Sequence, residues 1–255
     1  MAQFLVALVL GYFPAMAEGQ RIGTIIVVGA SERKIIFAAD SRGKNPITGK
    51  TTDNDCKIFT PKNKFMFASA GFEDSFMEDE VTELGTLRFK EPYSFVEKWT
   101  NDIFDHFTAM PKPMMDDIVR RLGSKQISVG LFAVVDPKHI LRVYSITFNY
   151  REVGSRFAIE RVIKGEPLRF FPVGYIHTFY EITKKLTPEG IKENADIESQ
   201  RSRRDFDEFK AIRLVEKTIK WNPKHDTVGG PVDAAELVPN GHIRWIQRKC
   251  NCAKE

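Results

Sequence analysis

Cysteine is scarce in this chain. The three present, Cys56, Cys250 and Cys252, are an odd count that cannot build a disulfide framework. No second cluster of Cys or His stands at zinc-ligand spacing from Cys250-Asn251-Cys252, so that tail reads as a frayed or redox-inert terminus and no metal site is assigned. Apolar runs long enough to cross a bilayer are missing too, and no stable membrane insertion is expected. Charge of one sign is nearly balanced at a net +4. Lys and Arg are scattered among Asp and Glu with no basic stripe interleaved with aromatics, which argues against a nucleic-acid partner. Internal repeats and linkers are absent as well.

What remains is ordinary globular material. Hydrophobic residues make up 42% of the chain and charged residues 28%, and the 20 phenylalanines favour thick layers of packed sheet and helix. A length of 255 residues suits one large domain. Phe4 to Phe13 is an apolar run the length of a signal-peptide core, and Ala15-Met16-Ala17 supplies an A-x-A cleavage pattern. Residues 1–17 are therefore expected to be a signal peptide, although no Lys or Arg precedes the run. Export would make the protein periplasmic or secreted. Without it, the protein would be cytoplasmic.

Gly23-Thr24-Ile25-Ile26-Val27-Val28-Gly29 and Ile35-Ile36-Phe37-Ala38-Ala39-Asp40 read as two β-branched strands joined tightly, a hairpin that sets Thr24 and Asp40 at one sheet edge. A polar loop runs from Gly43 to Asp55, with Asn45-Pro46 as a turn signal. Lys64 to Gly71 reads as a buried strand ending in small residues, followed by a helix from about Glu73 to Phe89. Ser94 and Glu97 form an S-x-x-E capping box for a second helix, whose Phe95, Trp99, Ile103 and Phe107 recur at every fourth position as a core stripe. His106 beside that stripe is expected to be a packed or solvated residue.

Strand pattern returns from Ile127 to Phe148 around the turn Asp136-Pro137-Lys138, and continues over Phe157 to Ile163 and Phe170 to Val173. Thr187-Pro188-Glu189 opens another helix. Glu193 to Arg204 is a charge run read as a solvated face. Asp205 to Trp221 reads as an amphipathic helix, and a final strand pair turns at Asn240-Gly241. The order suits one α+β domain with helices outside packed sheets.

Several of these segments together resemble the β-type subunits of the proteasome, among the N-terminal-nucleophile hydrolases, as a divergent, bacterial-like member. The resemblance rests on Gly23-Thr24, Ala39-Asp40-Ser41-Arg42, Lys57-Ile58, Ser69-Ala70-Gly71 and His225-Asp226-Thr227-Val228-Gly229-Gly230. It covers nearly everything from Thr24 to Ile246. It implies a four-layer αββα sandwich of two antiparallel sheets flanked by helices, with residues 18–23 as a short pro-segment and 24–255 as one domain. It also implies a threonine-type peptidase activated by self-cleavage at Gly23-Thr24.

The chemistry accounts for these residue types. A threonine hydroxyl is a poor nucleophile without a base, and an N-terminal threonine carries one in its own α-amine, with an ordinary pKa of about 7.7–8.0. By the resemblance, Thr24 is the nucleophile, and Lys57, positioned by Asp40, stabilises the developing alkoxide. Gly71 offers a backbone N–H to the oxyanion, and Asp226 orients the amine. Gly43 and Ser69 would line the substrate pocket. Arg42, Tyr175 and Gly229 are supporting positions.

Each residue also has a plainer reading: Asp40 and Arg42 as a salt bridge, Lys57 as a surface lysine, Gly71 and Gly229 as turn glycines. Two supporting serines of the family are replaced here by Tyr175 and Gly229, and the Thr24-to-Lys57 spacing is one residue longer than usual. No cofactor is implied. The implied partners are a peptide or unfolded polypeptide substrate and further copies of the chain in a homo-oligomeric ring. Two other functions suit the same pattern: an unprocessed, non-catalytic assembly subunit, and an amidase acting on small molecules.

Overall fold

A computed structural model describes residues 23–45, 48–88, 91–166, 170–174, 192, 207, 209–221 and 228–248. The first hairpin forms as its sequence requires. β1 (Ile25–Ala30) and β2 (Ile35–Ala39) pair antiparallel, Ile26 opposite Ala39 and Ala30 opposite Ile35. Ser31 closes the connection, its backbone N–H donating to Lys34 O at 2.9 Å while its Oγ accepts from the N–H groups of Arg33 and Lys34.

Further along come β3 (Gly43–Lys44) and β4 (Thr51–Thr52), which pair as a ribbon, then β5 (Ile58–Phe59) and β6 (Met66–Gly71). Helices α1 (Ser75–Thr86), α2 (Tyr93–Ala109) and α3 (Lys112–Leu122) precede β7 (Gln126–Val135), β8 (Leu141–Val153), β9 (Arg156–Glu166) and β10 (Phe170–Gly174). The last described elements are α4 (Phe209–Trp221), β11 (Asp233–Leu237) and β12 (Ile243–Gln247). Two five-stranded antiparallel sheets result, ordered β10-β1-β2-β11-β12 and β5-β6-β7-β8-β9.

Strand alternation sorts the side chains into layers. Ile26, Val28, Ile35, Phe37 and Ala39 from one sheet meet Met66, Ala68, Ala70, Leu131 and Ala133 from the other in a shared inner core. The alternate residues Ile25, Val27, Ile36 and Ala38 face outward against Ala211, Ile212, Leu214 and Val215 of α4. On the opposite side Phe65, Phe67, Phe132 and Val134 pack against α1, α2 and α3. The α+β sandwich expected from the sequence is thus present.

Trp99 of α2 shows how tightly the outer layer fits. It is fully buried among Phe67, Phe132 and Phe148. A Cβ at Gly130 of β7 would stand 2.5 Å from its ring, so any larger residue at that strand position must displace the ring.

Several local expectations are corrected. Ser94 does not cap α2: Pro92, already in helical backbone conformation, is its N-cap, and Ser94 lies inside the first turn. Asp74 caps α1 instead, accepting from Met77 N at 3.2 Å. α3 was not anticipated from the sequence. It follows Pro111 and ends on Gly123 in the left-handed conformation.

The segments at Phe157 and Phe170 join opposite sheets, β9 beside β8 and β10 beside β1. Cys56 is disulfide-bonded, a single bond that the odd cysteine count did not reveal. Cys250 and Cys252 lie outside the described residues, as do the helix expected at Thr187 and the charge run from Glu193 to Arg204. His106 is no orphan: its Nε2 lies 2.8 Å from Asp74 Oδ2 and its ring stacks on Phe76. Among the described residues, no helix is long and apolar enough to cross a membrane.

Candidate active site

Asp40 follows the last residue of β2 and is completely buried. Its N–H donates to Ile25 O at 3.2 Å, extending the hairpin ladder by one step. Its carboxyl group turns back on the chain. Oδ1 accepts from Ile25 N–H at 2.9 Å, and Oδ2 accepts from Gly229 N–H at 2.8 Å. Burial pushes the Asp40 carboxyl up from 3.8 to about 7, against the opposing pull of these N–H donors, of Arg42 N–H and of the charge on Lys57. A carboxyl that exchanges its proton near neutrality therefore braces the first peptide of β1.

That peptide belongs to Thr24 and Ile25. Thr24 is fully buried, and its Oγ1 hydroxyl has no hydrogen-bond partner among the described residues. Gly23 precedes it at φ 92°, and Thr24 itself has φ 148°. A β-branched residue in this half of conformational space is an outlier that holds about 1–3 kcal/mol of strain. The hairpin register and the Asp40 bond fix the chain on the C-terminal side of Thr24, which leaves the Gly23–Thr24 junction to absorb the distortion.

Lys57 is not the surface lysine of the plainer reading. Its side chain is fully buried, and its Nζ lies 3.0 Å from Glu73 Oε2. Glu73 accepts from Ser69 Oγ through its other oxygen at 3.1 Å. Lys57 was expected to be positioned by Asp40. The structure instead gives its ion pair to Glu73, with Asp40 close enough to feel its charge.

Between Ser69 and Glu73 lies Gly71, at φ 103°. A Cβ there would stand 2.4 Å from Ile127 O, so the chain passes β7 at a distance only glycine permits.

Arg42 does not pair with Asp40 either. Its guanidinium grips both carboxylate oxygens of Asp53, at 2.6 and 2.9 Å, and reaches Val228 O at 3.5 Å. Ser41 and Arg42 both donate backbone N–H groups to Gly229 O. A Cβ on Gly229 would lie 2.6 Å from Arg42 Cζ, so a serine where the resemblance expects one would require the Arg42 guanidinium to move. Gly43 is buried at the start of β3, opposite Thr52. Asp226 and Tyr175 lie outside the described residues.

The structure thus connects Thr24, Asp40, Gly229, Lys57, Ser69 and the Gly71 turn. Sequence reasoning missed Glu73 and Asp53. An acidic residue two places beyond Gly71, just after the run Ala68-Ser69-Ala70-Gly71-Phe72, was the available signal for Glu73. Among the described residues, no group of three or more His, Cys, Asp or Glu is placed to hold a metal ion.

Two antiparallel sheets lie face to face with helices outside, and Thr24 stands at the head of the first strand. The solved structure of an Anbu (Gly-1) mutant from Hyphomicrobium sp. strain MC1 is similar to this chain. The TM-score is 0.53 at 14% identity, over 90% of this chain and 88% of that one. At that identity the likeness is one of fold. No family model and no curated protein sequence matches the chain.

Proposed function

We propose that the protein is a threonine-type hydrolase that frees its own nucleophile by cleaving the Gly23–Thr24 bond and then cuts peptide bonds through an ester on Thr24. The observation that carries this reading is the junction itself. A buried threonine whose hydroxyl has no partner among the described residues sits in a strained conformation directly after glycine, on a peptide braced by Asp40.

In the self-cleavage step, Thr24 Oγ adds to the Gly23 carbonyl carbon and the Gly23–Thr24 C–N bond breaks. The acyl group now rests as an ester on Oγ, and the proton of the hydroxyl ends on the released amine. Water hydrolyses the ester, leaving a Gly23 carboxylate and a free Thr24 α-amine. That amine is the base for later turnovers. Lys57 supplies positive charge to the oxygen as it becomes an alkoxide, and Gly71 N–H is the oxyanion donor. Asp226 orients the amine, with Tyr175 in support. Gly43 and Ser69 line the substrate pocket.

Export of the chain after removal of residues 1–17 is part of the same reading, and the Cys56 disulfide favours it, because such bonds persist in oxidising compartments. Substrates there would be peptides or already unfolded chains, and the enzyme would work as a ring of identical subunits. A monomer by light scattering would remove the ring and leave the chemistry.

Intact-mass analysis of the purified protein provides the test. A chain beginning at Thr24, with fluorogenic-peptide turnover lost in Thr24→Ala, is the expected result. A chain that begins before Thr24 refutes the catalytic reading and leaves an assembly subunit. Correct processing with turnover of small amides but not peptides identifies an amidase.

A further inference from the structure

Two buried carboxyl groups share one buried cation at this site, and their division of labour is unequal. Asp40 uses both oxygens on backbone N–H groups, of Ile25 and Gly229. Glu73 uses one oxygen on the Lys57 ammonium at 3.0 Å and the other on Ser69 Oγ at 3.1 Å. Only 5% of the Glu73 side chain is exposed and none of the Lys57 side chain, so the pair is shielded from solvent. Ser69 and Glu73 flank Gly71 in sequence, the first within β6 and the second on the connection into α1.

We propose that Glu73 is the positioning residue for Lys57: it ties the ammonium to the turn that carries Gly71 and keeps it out of the hydrogen bonds around Asp40. The inference rests on the catalytic reading above for its purpose, though its geometry does not. A lysine hydrogen-bonded to Asp40 would compete with Ile25 N–H for the carboxyl that braces the Thr24 peptide. Holding the cation on Glu73 lets one site contain both a fixed positive charge and a carboxyl that titrates near neutrality.

The charged groups around Asp40 among the described residues are few. Lys57 acts on it from beside β5, and Arg42 with its partner Asp53 lies behind Gly229. Buried Asp233 begins β11 in register with Ala39. Loss of the Glu73 charge therefore turns Lys57 toward Asp40, the carboxyl it already acts on. A closer cation makes the carboxylate form more favourable.

The test follows the Asp40 carboxyl by infrared difference titration in the Thr24→Ala chain, which has no hydroxyl with which to cleave itself, using Asp40→Asn as the blank. The midpoint is expected near 7. Glu73→Gln should lower it by roughly 1–3 units, and Glu73→Asp, which keeps the charge, should restore most of it. A midpoint that stays in place or rises in Glu73→Gln overturns the proposal.

Should Glu73→Gln fail to fold, the neutral pair Lys57→Met with Glu73→Gln serves instead. Its midpoint must rise, since the cation is gone, and an unchanged midpoint is equally fatal. In the Thr24 protein, the acid limb of the Gly23–Thr24 cleavage rate should move down with the same Glu73→Gln change. If the Thr24 protein never cleaves, the catalytic reading fails while the infrared titration still decides the role of Glu73.

Discussion

Replacing Asp40 by asparagine separates the burial of its carboxyl from the rest of the fold. The carboxyl titrates at about 7 in the folded chain against 3.8 ordinarily. At 1.36 kcal/mol per unit, that difference is worth about 4 kcal/mol. Its sign follows from linkage. The folded state binds this proton more tightly than the unfolded chain, so the contribution is fully present below about pH 4 and is lost as pH rises through about 7.

The amide of the Asp40→Asn variant does not titrate. The stability of the Asp40 protein relative to Asp40→Asn should therefore fall by about 4 kcal/mol between pH 4 and pH 8, an order-of-magnitude figure. Urea unfolding of both proteins in the Thr24→Ala background measures it, and groups that titrate alike in both cancel in the difference. The lost acceptor for Gly229 or Ile25 N–H adds a constant offset, not a slope. A difference that stays flat over this range, or that grows with pH, would refute the account of Asp40 as a carboxyl held near neutrality by burial.

Two further outcomes concern the scaffold. Gly130→Ala drives a methyl group into the Trp99 ring and should cost about 1–3 kcal/mol in urea unfolding, with a shift in tryptophan fluorescence; an unchanged midpoint would mean that α2 moves freely over β7. Reduction of the Cys56 disulfide should lower stability by about 2–4 kcal/mol, with Cys56→Ser showing the same loss and no response to reductant. A wild-type unfolding midpoint indifferent to dithiothreitol would count against the bond and against the oxidising compartment it favours.

The layers were legible because their signals are local. Continuous apolar runs rich in β-branched residues, Ile25-Ile26-Val27-Val28 in β1 and Ile35-Ile36 in β2, with a tight connection, dictate a hairpin, and the aromatic stripe of α2 dictates a buried helix face. Aspartate at the end of β2 was equally readable as a neighbour of Thr24. Pairings that depend on the fold were not. Nothing in the spacing of Lys57 distinguishes Asp40 from Glu73 as its partner, because the choice depends on how the β6–α1 turn meets β5. Arg42 likewise finds Asp53 across a ribbon whose register the polar loop does not announce. The serine replaced by Gly229 read as a loss from sequence, whereas the fold shows an arginine filling the space.

The two bonds of the Asp40 carboxyl also set a clock. One reaches a residue 15 positions away and the other a residue 189 positions away, near the far end of the chain. During synthesis the hairpin and its aspartate emerge early, while the loop that completes the brace arrives almost last. Any chemistry at Thr24 that relies on this brace is withheld until nearly the whole polypeptide has been made and both sheets have closed. Under the proposed mechanism, timing of this kind would make activation a report on complete folding, and a chain cut short before residue 229 would hold Thr24 without half of that brace.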